Sequence, residues 1–342
     1  MLVRRGLVLG ACLSLFLLSP AGAQTTAPTP TAVAPTAASG ELFYTTYQPP
    51  AVKKVAFTYD SSGFRIGKRV LIANLPGADG IVFAPNGRLI VGGGPTGMVF
   101  EVDPNSGAVQ SVKSGVAGAY HVSVDPNGKR VWTAGIPGAL AEVPLEPFAD
   151  GTPRPITGDD PLVTSVGFAL GKAFYTSSDP NGGGNFGRID LNAMHTQRLL
   201  ADLRGAHGIT FDSSAASLFL FGSFSILQID SGTPTVISSQ RNFLGLRFDQ
   251  GTVDGRGHLF AADNGGKLIF IDYSATRRIG DERNRVETRF LDPGLDDLAP
   301  LTGPGAKPGA KAKSHTPLVL LVGLALVVVL ISTVVVTRRR RA

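Results

Sequence analysis

The sequence predicts an all-β fold, a six-bladed β-propeller, from three observations. Similar stretches recur along the central region, each holds about four short β-rich runs, and helical periodicity is nearly absent there. The last run of each copy ends at Asp60, Asp103, Pro144, Asp190, Asp230 and Asp272, at successive separations of 43, 41, 46, 40 and 42 residues. A period in the low forties with four strands per repeat is typical of a propeller, in which each repeat forms one small sheet.

The repeat also places the innermost strand and the turns of each blade. Innermost strands are predicted to begin near Gly80, His121, Ser165, Gly208 and Gln250. The predicted hairpin turns are Pro85-Asn86-Gly87, Asp125-Pro126-Asn127-Gly128, Asp254-Gly255 and Asn264-Gly265-Gly266. These are residue types that tight turns between strands require.

The two ends of the folded region are predicted to share one blade, so that the propeller spans residues 41–301. The run that begins at Glu41 aligns with the second strand of a repeat, because Leu42-Phe43 matches Leu259-Phe260. The first blade therefore lacks its innermost strand. We expect Leu298 to Leu301 to supply it, which would close the ring and leave no exposed sheet edge.

The N-terminal residues have the pattern of an export signal. Arg4 and Arg5 precede an apolar run from Gly6 to Leu18 and the small residues of 21–23, which predicts a secretory signal peptide over residues 1–23. The only cysteine, Cys12, lies in this leader, so the mature chain would contain no disulfide. Residues 24–40 are rich in Thr, Ala and Pro and are predicted to be an extended linker.

The C-terminal residues have the pattern of a membrane anchor. A Gly/Pro/Lys linker is predicted over 302–316, a transmembrane helix over 317–337 and a cytoplasmic basic tail over 338–342. Nineteen uncharged residues from Leu318 to Val336 would form a helix of about 28 Å, close to the ~30 Å hydrocarbon core. Because basic segments stay inside, the chain would be a single-pass membrane protein with an extracytoplasmic propeller, in the periplasm or at the bacterial cell surface. Residues 299–303 resemble the LPxTG signal of sorting transpeptidases, so removal of the anchor is an alternative to its retention.

The distribution of charge excludes nucleic acid as a partner. The net charge is +6, but nine of the 32 basic residues lie in the leader and the C-terminal tail. All 26 acidic residues lie between Glu41 and Asp297, so the propeller itself has a net charge of about −3. The expected partners are the membrane and an extracytoplasmic ligand or protein, and the chain is expected to be a monomer.

Local motifs for common chemistries are missing from the sequence. There is no GxSxG, no HExxH and no clustered Cys/His spacing. The runs Gly92–Gly97 and Gly182–Gly187 fit the GxGxxG pattern, but both are predicted to be turns between strands rather than turns into a helix.

One group of polar residues becomes visible only through the repeat. The starts of the innermost strands gather around one mouth of the central channel. The predicted ligand-binding residues there are Asp79, His121, His207, Asp249, Gln250, Asp296 and Asp297. Of these, Asp79, Asp249 and Asp296 are the predicted metal ligands, and Ca²⁺ or Mg²⁺ is the cation that carboxylates would take. The alternative is that these side chains only cap strand ends.

The stretches GHLFAADNGGKLIFID (257–272) and GITFD (208–212) resemble the NHL-repeat, gluconolactonase-like and streptogramin-lyase group of bacterial propellers. The resemblance implies the propeller fold, with a metal held by Glu, Asn and Asp in the lactonases and a His/Glu site in the lyases. The mouth residues here include no Glu, which favours a binding or scaffolding module at the cell surface. The alternative is a metal-dependent lyase or lactonase with its site at the mouth.

Overall fold

The computed structural model describes residues 37–135, 138–178, 183–241 and 245–309, which form an all-β propeller of six blades. In chain order the strands are β1 (Ala38–Tyr47), β2 (Pro50–Asp60), β3 (Gly63–Asn74), β4 (Ile81–Phe83), β5 (Leu89–Gly92), β6 (Met98–Val102), β7 (Val109–Lys113), β8 (Val122–Val124), β9 (Arg130–Ala134), β10 (Leu140–Pro144), β11 (Thr152–Arg154), β12 (Thr157–Gly158), β13 (Val163–Ala169), β14 (Lys172–Ser178), β15 (Gly184–Asp190), β16 (His195–Leu200), β17 (Ile209–Asp212), β18 (Ser217–Gly222), β19 (Ser225–Asp230), β20 (Val236–Arg241), β21 (Phe248–Val253), β22 (His258–Asp263), β23 (Lys267–Asp272), β24 (Arg285–Phe290) and β25 (Leu295–Leu298).

Each blade is one antiparallel sheet, numbered here from its innermost strand outward. Blade 1 is β25-β1-β2-β3, blade 2 is β4-β5-β6-β7 and blade 3 is β8-β9-β10-β11. Blade 4 is β13-β14-β15-β16, with the short β12 pairing in parallel on its outer edge. Blade 5 is β17-β18-β19-β20 and blade 6 is β21-β22-β23-β24. The innermost strands of blades 2 to 6 begin within two residues of the predicted positions.

The innermost strands contact one another in a closed ring around the central axis, in the order β4, β8, β13, β17, β21, β25 and back to β4. Their close approach explains a glycine at the start of β4. A Cβ on Gly80 would lie 2.6 Å from both the Tyr120 carbonyl oxygen and the Val122 nitrogen. Any side chain there would push blades 2 and 3 apart.

The hydrophobic core consists of six buried clusters, one between each pair of neighbouring blades. Successive side chains of a strand point to opposite faces of its sheet. Leu42 and Tyr44 therefore pack toward blade 6, whereas Phe43 packs toward blade 2. The ring of Phe43 meets Phe83 edge to face, with centroids 5.0 Å apart. Because each blade is apolar on both faces, every blade depends on its two neighbours.

The predicted hairpin turns are confirmed, but the prediction for one of the two glycine runs is partly wrong. All four turns join antiparallel strands, and Gly92–Gly97 joins β5 to β6 as expected. The second run, Gly182–Gly187, is not a turn over its whole length. From Gly184 onward it belongs to β15, which pairs with β14.

Closure of the ring by both ends of the folded chain is confirmed, but the closing strand lies earlier than predicted. The pairs between β25 and β1 are Tyr44↔Leu298 and Thr46↔Leu295, so residues 295–298 rather than 298–301 form the strand. Leu295 and Leu298 enter the cluster shared with blade 6. Pro300 has no N–H group and cannot continue the ladder. At the other end, β1 begins at Ala38 and its pairing with β2 extends to Tyr59, so the strand starts three residues before Glu41.

Part of the predicted C-terminal linker lies against the propeller. Residues 302–309 follow the closing strand at the end of the channel opposite the mouth, where the nitrogen of Phe83 donates to the carbonyl oxygen of Gly305 at 2.6 Å. Lys307 pairs with Glu41 at 3.1 Å. These residues therefore cover the far end of the channel. We call this segment the C-terminal strap.

The predicted signal peptide, most of the Thr/Ala/Pro-rich linker, the transmembrane helix over 317–337 and the basic tail lie outside the described residues. Within the described ranges none of the residues is helical, and hence no helix there could cross a membrane.

Candidate metal centre at the channel mouth

Six of the seven predicted ligand-binding residues lie together at the mouth, where the innermost strands begin. They are Asp79, His121, His207, Asp249, Asp296 and Asp297. Gln250 differs, because it lines the channel below them together with Ile209 and Gly251. Its Oε1 is buried and has no hydrogen-bond partner among the described residues.

His121 lies at the centre of the cluster and is 5% exposed. Its Nδ1 is 3.2 Å from Asp297 Oδ2, and its Nε2 is 3.3 Å from His207 Nδ1 and 3.9 Å from Asp249 Oδ1. Burial disfavours the imidazolium form, but the charges of Asp297, Asp249 and Asp79 and the hydrogen bond to Asp297 outweigh it and raise the pKa of His121 to about 10. Without a metal, His121 is therefore a buried cation.

His207 is the accessible member of the imidazole pair, with its side chain 42% exposed. Its Nδ1 faces both His121 Nε2 and Asp249 Oδ1, the latter at 2.8 Å. An imidazole nitrogen carries one hydrogen at most, so Nδ1 can donate to only one of these two atoms. The two rings stand nearly perpendicular, with centroids 5.2 Å apart. His121 Nε2, His207 Nδ1 and Asp249 Oδ1 thus converge on one point, and a single proton there cannot satisfy all of their hydrogen bonds.

The four carboxyl groups of the cluster have divergent acidities. Burial opposes ionisation of Asp249, but the hydrogen bond to His207 and the charges of both histidines hold its pKa well below the ordinary value. Burial raises the pKa of Asp79 to about 7, assisted by repulsion from Asp297 and Asp249. Burial also raises the pKa of Asp297, and burial and repulsion raise that of Asp296 well above the ordinary value. Carboxylates this close cannot all ionise unless a cation compensates them.

Asn264 belongs to the site and was missed in the sequence, where it was assigned only to a turn. Its Nδ2 donates to Asp249 Oδ2 at 2.9 Å and lies 3.3 Å from Asp296 Oδ1. The turn between β22 and β23 reaches the same mouth as the starts of the innermost strands. Considering the turns at that mouth as well as the strand starts would have revealed this asparagine.

The donor atoms can be tested against a bound cation. His121 Nε2, His207 Nδ1 and Asp249 Oδ1 are separated by 3.3, 2.8 and 3.9 Å. Ligands about 2.0 Å from a tetrahedral Zn²⁺ lie about 3.3 Å from each other, so these three atoms fit one such ion. Asp79, His121 and Asp297 form a second compact group of potential ligands. In addition, Asp296 Oδ2 and Asp297 Oδ1 are buried without a hydrogen-bond partner among the described residues.

The predicted ligand set of Asp79, Asp249 and Asp296 lies within this cluster. However, both compact groups of three potential ligands found in the described part of the chain include an imidazole. Imidazole suits Zn²⁺ and other transition metals, whereas Ca²⁺ and Mg²⁺ prefer oxygen ligands alone. The arrangement therefore favours a transition metal over the cations expected from the sequence.

The sequence matches no protein-family model and no curated protein. Among solved structures, the calcium-binding protein regucalcin from Agrobacterium tumefaciens is similar, with 13% identity over 71% of this chain and 86% of that one and a TM-score of 0.52. The PQQ-bound aldose sugar dehydrogenase from Streptomyces coelicolor is similar with 14% identity over 67% and 86% of the two chains and a TM-score of 0.52. A streptogramin B lyase structure has 14% identity over 63% and 69% and a TM-score of 0.48. The regucalcin and dehydrogenase matches confirm, at the level of the fold, the predicted resemblance to this group of six-bladed propellers.

Proposed function

We propose that this protein is a metal-dependent ligand-binding propeller whose site is the channel mouth. The observation that carries the proposal is the convergence of His121 Nε2, His207 Nδ1 and Asp249 Oδ1 with the spacing of ligands around a single ion. Asp297 and Asn264 would hold the ligands in place through their hydrogen bonds to His121 and Asp249. When bound, the metal would supply a Lewis acid that attracts oxygen atoms of a ligand.

The raised pKa of Asp79 supports a second candidate, a metal-dependent lyase or lactonase. A carboxyl group with a pKa of about 7 exchanges a proton readily near neutral pH, as a general acid or base must. Asp79 is partly exposed, in contrast to the buried Asp297. Its carboxyl group could therefore donate a proton to a bound molecule or accept a proton from it.

The experiment that tests the proposal is a melting curve of the metal-free protein, without a histidine tag, in Zn²⁺, Mn²⁺, Ca²⁺ or Mg²⁺. A ligand at one hundred times its Kd stabilises the folded state by about 2.7 kcal/mol. We expect Zn²⁺ or Mn²⁺ to raise the melting temperature and His207→Gln to abolish most of the rise. His195→Gln is the matched control, because His195 is an exposed histidine at the start of β16 in blade 4.

Two outcomes would change the assignment. A rise with Ca²⁺ or Mg²⁺ alone, sensitive to Asp296→Asn but not to His207→Gln, would favour the oxygen ligands predicted from the sequence. No response to any of the four cations would refute the metal centre and leave the cluster as a set of hydrogen-bonded strand caps.

We further propose that the propeller is exported and anchored in the membrane by residues 317–337. The support is the leader pattern of residues 1–23 and the uncharged run before the four arginines of the tail. The C-terminal strap covers the far end of the channel, where it lines a cavity with the innermost strands. A chain that continued from there into a membrane would leave the mouth open to ligands from outside.

A further inference from the structure

A second concave site lies far from the channel mouth, between blades 3 and 4. It is a groove of about 660 Å³, within the range of small-molecule sites. The turns that bound it are those between β8 and β9, between β13 and β14 and between β15 and β16. Innermost strands begin at the mouth, so these turns lie on the opposite face of the propeller. We call this site the blade 3–4 groove.

Two side chains that line the groove carry hydrogen-bond donors without a partner in the described part of the chain. Trp132 is 2% exposed, and its Nε1 forms no hydrogen bond with a described residue. The Nε of Arg188 is also buried without a partner, and within the described ranges the guanidinium forms neither an ion pair nor a hydrogen bond. Both side chains line the groove. Buried donors in proteins are almost always hydrogen-bonded, so two unpaired donors on side chains that line one cavity indicate a missing acceptor.

The acidic residues of the groove do not supply that acceptor. Asp125 pairs with Arg130 at 3.4 Å and accepts from the nitrogen of Lys129 at 2.8 Å. Asp190 Oδ1 accepts from the nitrogens of Asn192 and Ala193 at 2.8 and 3.1 Å. Each carboxylate is therefore engaged in its own turn. Among the described residues, Arg188 is therefore left without a counter-ion.

A second cation and an apolar surface accompany Arg188. Lys172 lines the groove from the exposed start of β14 in blade 4 and forms no ion pair with a described residue. Phe168, Ile189 and Leu191 pack in the same cluster as Trp132 and also line the groove. The groove thus combines an apolar surface with hydrogen-bond donors and cations that have no partner among the described residues.

We infer that the blade 3–4 groove binds an organic carboxylate with an apolar body. The carboxylate would accept hydrogen bonds from the Arg188 guanidinium, and a small rotation of the buried Trp132 ring would let its Nε1–H donate to the same group. The apolar body would lie against Phe168, Ile189 and Leu191. The site shares no residue with the metal centre, so it can be tested independently of the proposed function.

The chain contains a single tryptophan, and it lies in the groove, so its fluorescence reports this site alone. We expect cyclohexanecarboxylate to change the emission of the full chain saturably. The neutral, nearly isosteric cyclohexanecarboxamide should bind at least tenfold more weakly. Arg188→Gln should weaken carboxylate binding at least tenfold and Lys172→Gln about threefold. Arg204→Gln, which changes an exposed arginine in the connection between blades 4 and 5, should leave binding unchanged.

Equal responses to the acid and the amide, or an unchanged affinity in Arg188→Gln, would overturn the inference. Should Arg188→Gln fail to fold, the unmodified protein provides the second test. Its one tryptophan gives one indole N–H resonance, which should shift downfield on addition of cyclohexanecarboxylate. An indole resonance that does not move at saturating carboxylate would also overturn the inference.

Discussion

His121 Nε2 and His207 Nδ1 lie 3.3 Å apart at the channel mouth, although 86 residues separate the two histidines in the chain. Each follows the outer strand of the preceding blade and stands at the start of an innermost strand. Because the blades form a ring, residues at this repeat position in different blades come into contact at the central axis. Two imidazoles that face each other beside four aspartates make the mouth sensitive to both protons and cations.

The stability of the metal-free protein should fall as the pH rises from about 4 to 10. The pKa of Asp79 is raised to about 7, so between pH 4 and 7 the folded protein keeps a proton that the unfolded chain has lost. The pKa of His121 is raised to about 10, so its contribution is complete below pH 6.5 and is lost as the pH rises through 10. Urea unfolding at several pH values measures this slope.

Asp79→Asn should make the slope between pH 4 and 7 shallower, leaving the part that the raised pKa values of Asp296 and Asp297 contribute, and should keep the decline above pH 7. Metal should reverse the trend, because His121 must release its proton to bind a cation and stabilisation by Zn²⁺ should therefore grow with pH. A stability that is level or rising between pH 4 and 7 without metal would contradict the buried, proton-holding carboxyl groups described here.

Ring closure predicts the effect of truncation. A chain that ends at Gly294 lacks β25, so β1 loses its inner partner and the cluster between blades 1 and 6 loses Leu295 and Leu298. We expect this chain to aggregate or to melt far below a chain that ends at Gly309, because an unpaired strand edge is exposed. Sedimentation and melting curves compare the two, and equal values for both chains would refute the closure.

Buried tyrosine–aspartate hydrogen bonds should contribute to the joints between blades. The hydroxyl of Tyr273 in blade 6 donates to Asp212 in blade 5, and both residues are 0% exposed. Tyr273→Phe leaves the Asp212 oxygen unsatisfied and should lower the free energy of unfolding by about 1–3 kcal/mol. Tyr120→Phe is the control, since its hydroxyl forms no hydrogen bond with a described residue. Similar losses in both variants, measured by urea unfolding, would contradict the role of the Tyr273 hydroxyl.

The proposed topology places residues 41–301 outside the membrane and the tail over 338–342 inside. Protease added to intact spheroplasts should then degrade the propeller, while an epitope after Ala342 stays protected until lysis. The matched control is a chain without residues 1–23, whose propeller should remain protected. A propeller that resists protease until lysis in both forms would place it in the cytoplasm.

The repeat made most of the fold predictable from sequence. Its period gave the number of blades, and its phase gave the starts of the innermost strands and the sharing of one blade by both chain ends. The exact bounds of the closing strand could not be predicted from the repeat. Residues 295–301 offer leucines at several positions, and tertiary packing in the cluster with Tyr44 selects Leu295 and Leu298.

The site was predictable only where it follows the repeat. Asp249, Asp296 and the two histidines lie at repeated positions, whereas Asn264 lies in a turn and shows its role only through contact with Asp249. The ligand spacing that favours a transition metal depends on side-chain conformation, about which the repeat carries no information. Likewise, the unpaired donors of Trp132 and Arg188 come from different blades, and nothing in either local sequence marks them.

The central claim is that one metal ion binds between the two imidazoles and Asp249. The most direct measurement is anomalous diffraction at the zinc absorption edge from crystals of the protein loaded with Zn²⁺. We predict a peak at the channel mouth, about 2.0–2.2 Å from His121 Nε2, His207 Nδ1 and an oxygen of Asp249. A mouth without an anomalous peak in excess Zn²⁺, or an ion held there by carboxylates with neither imidazole, would contradict the claim.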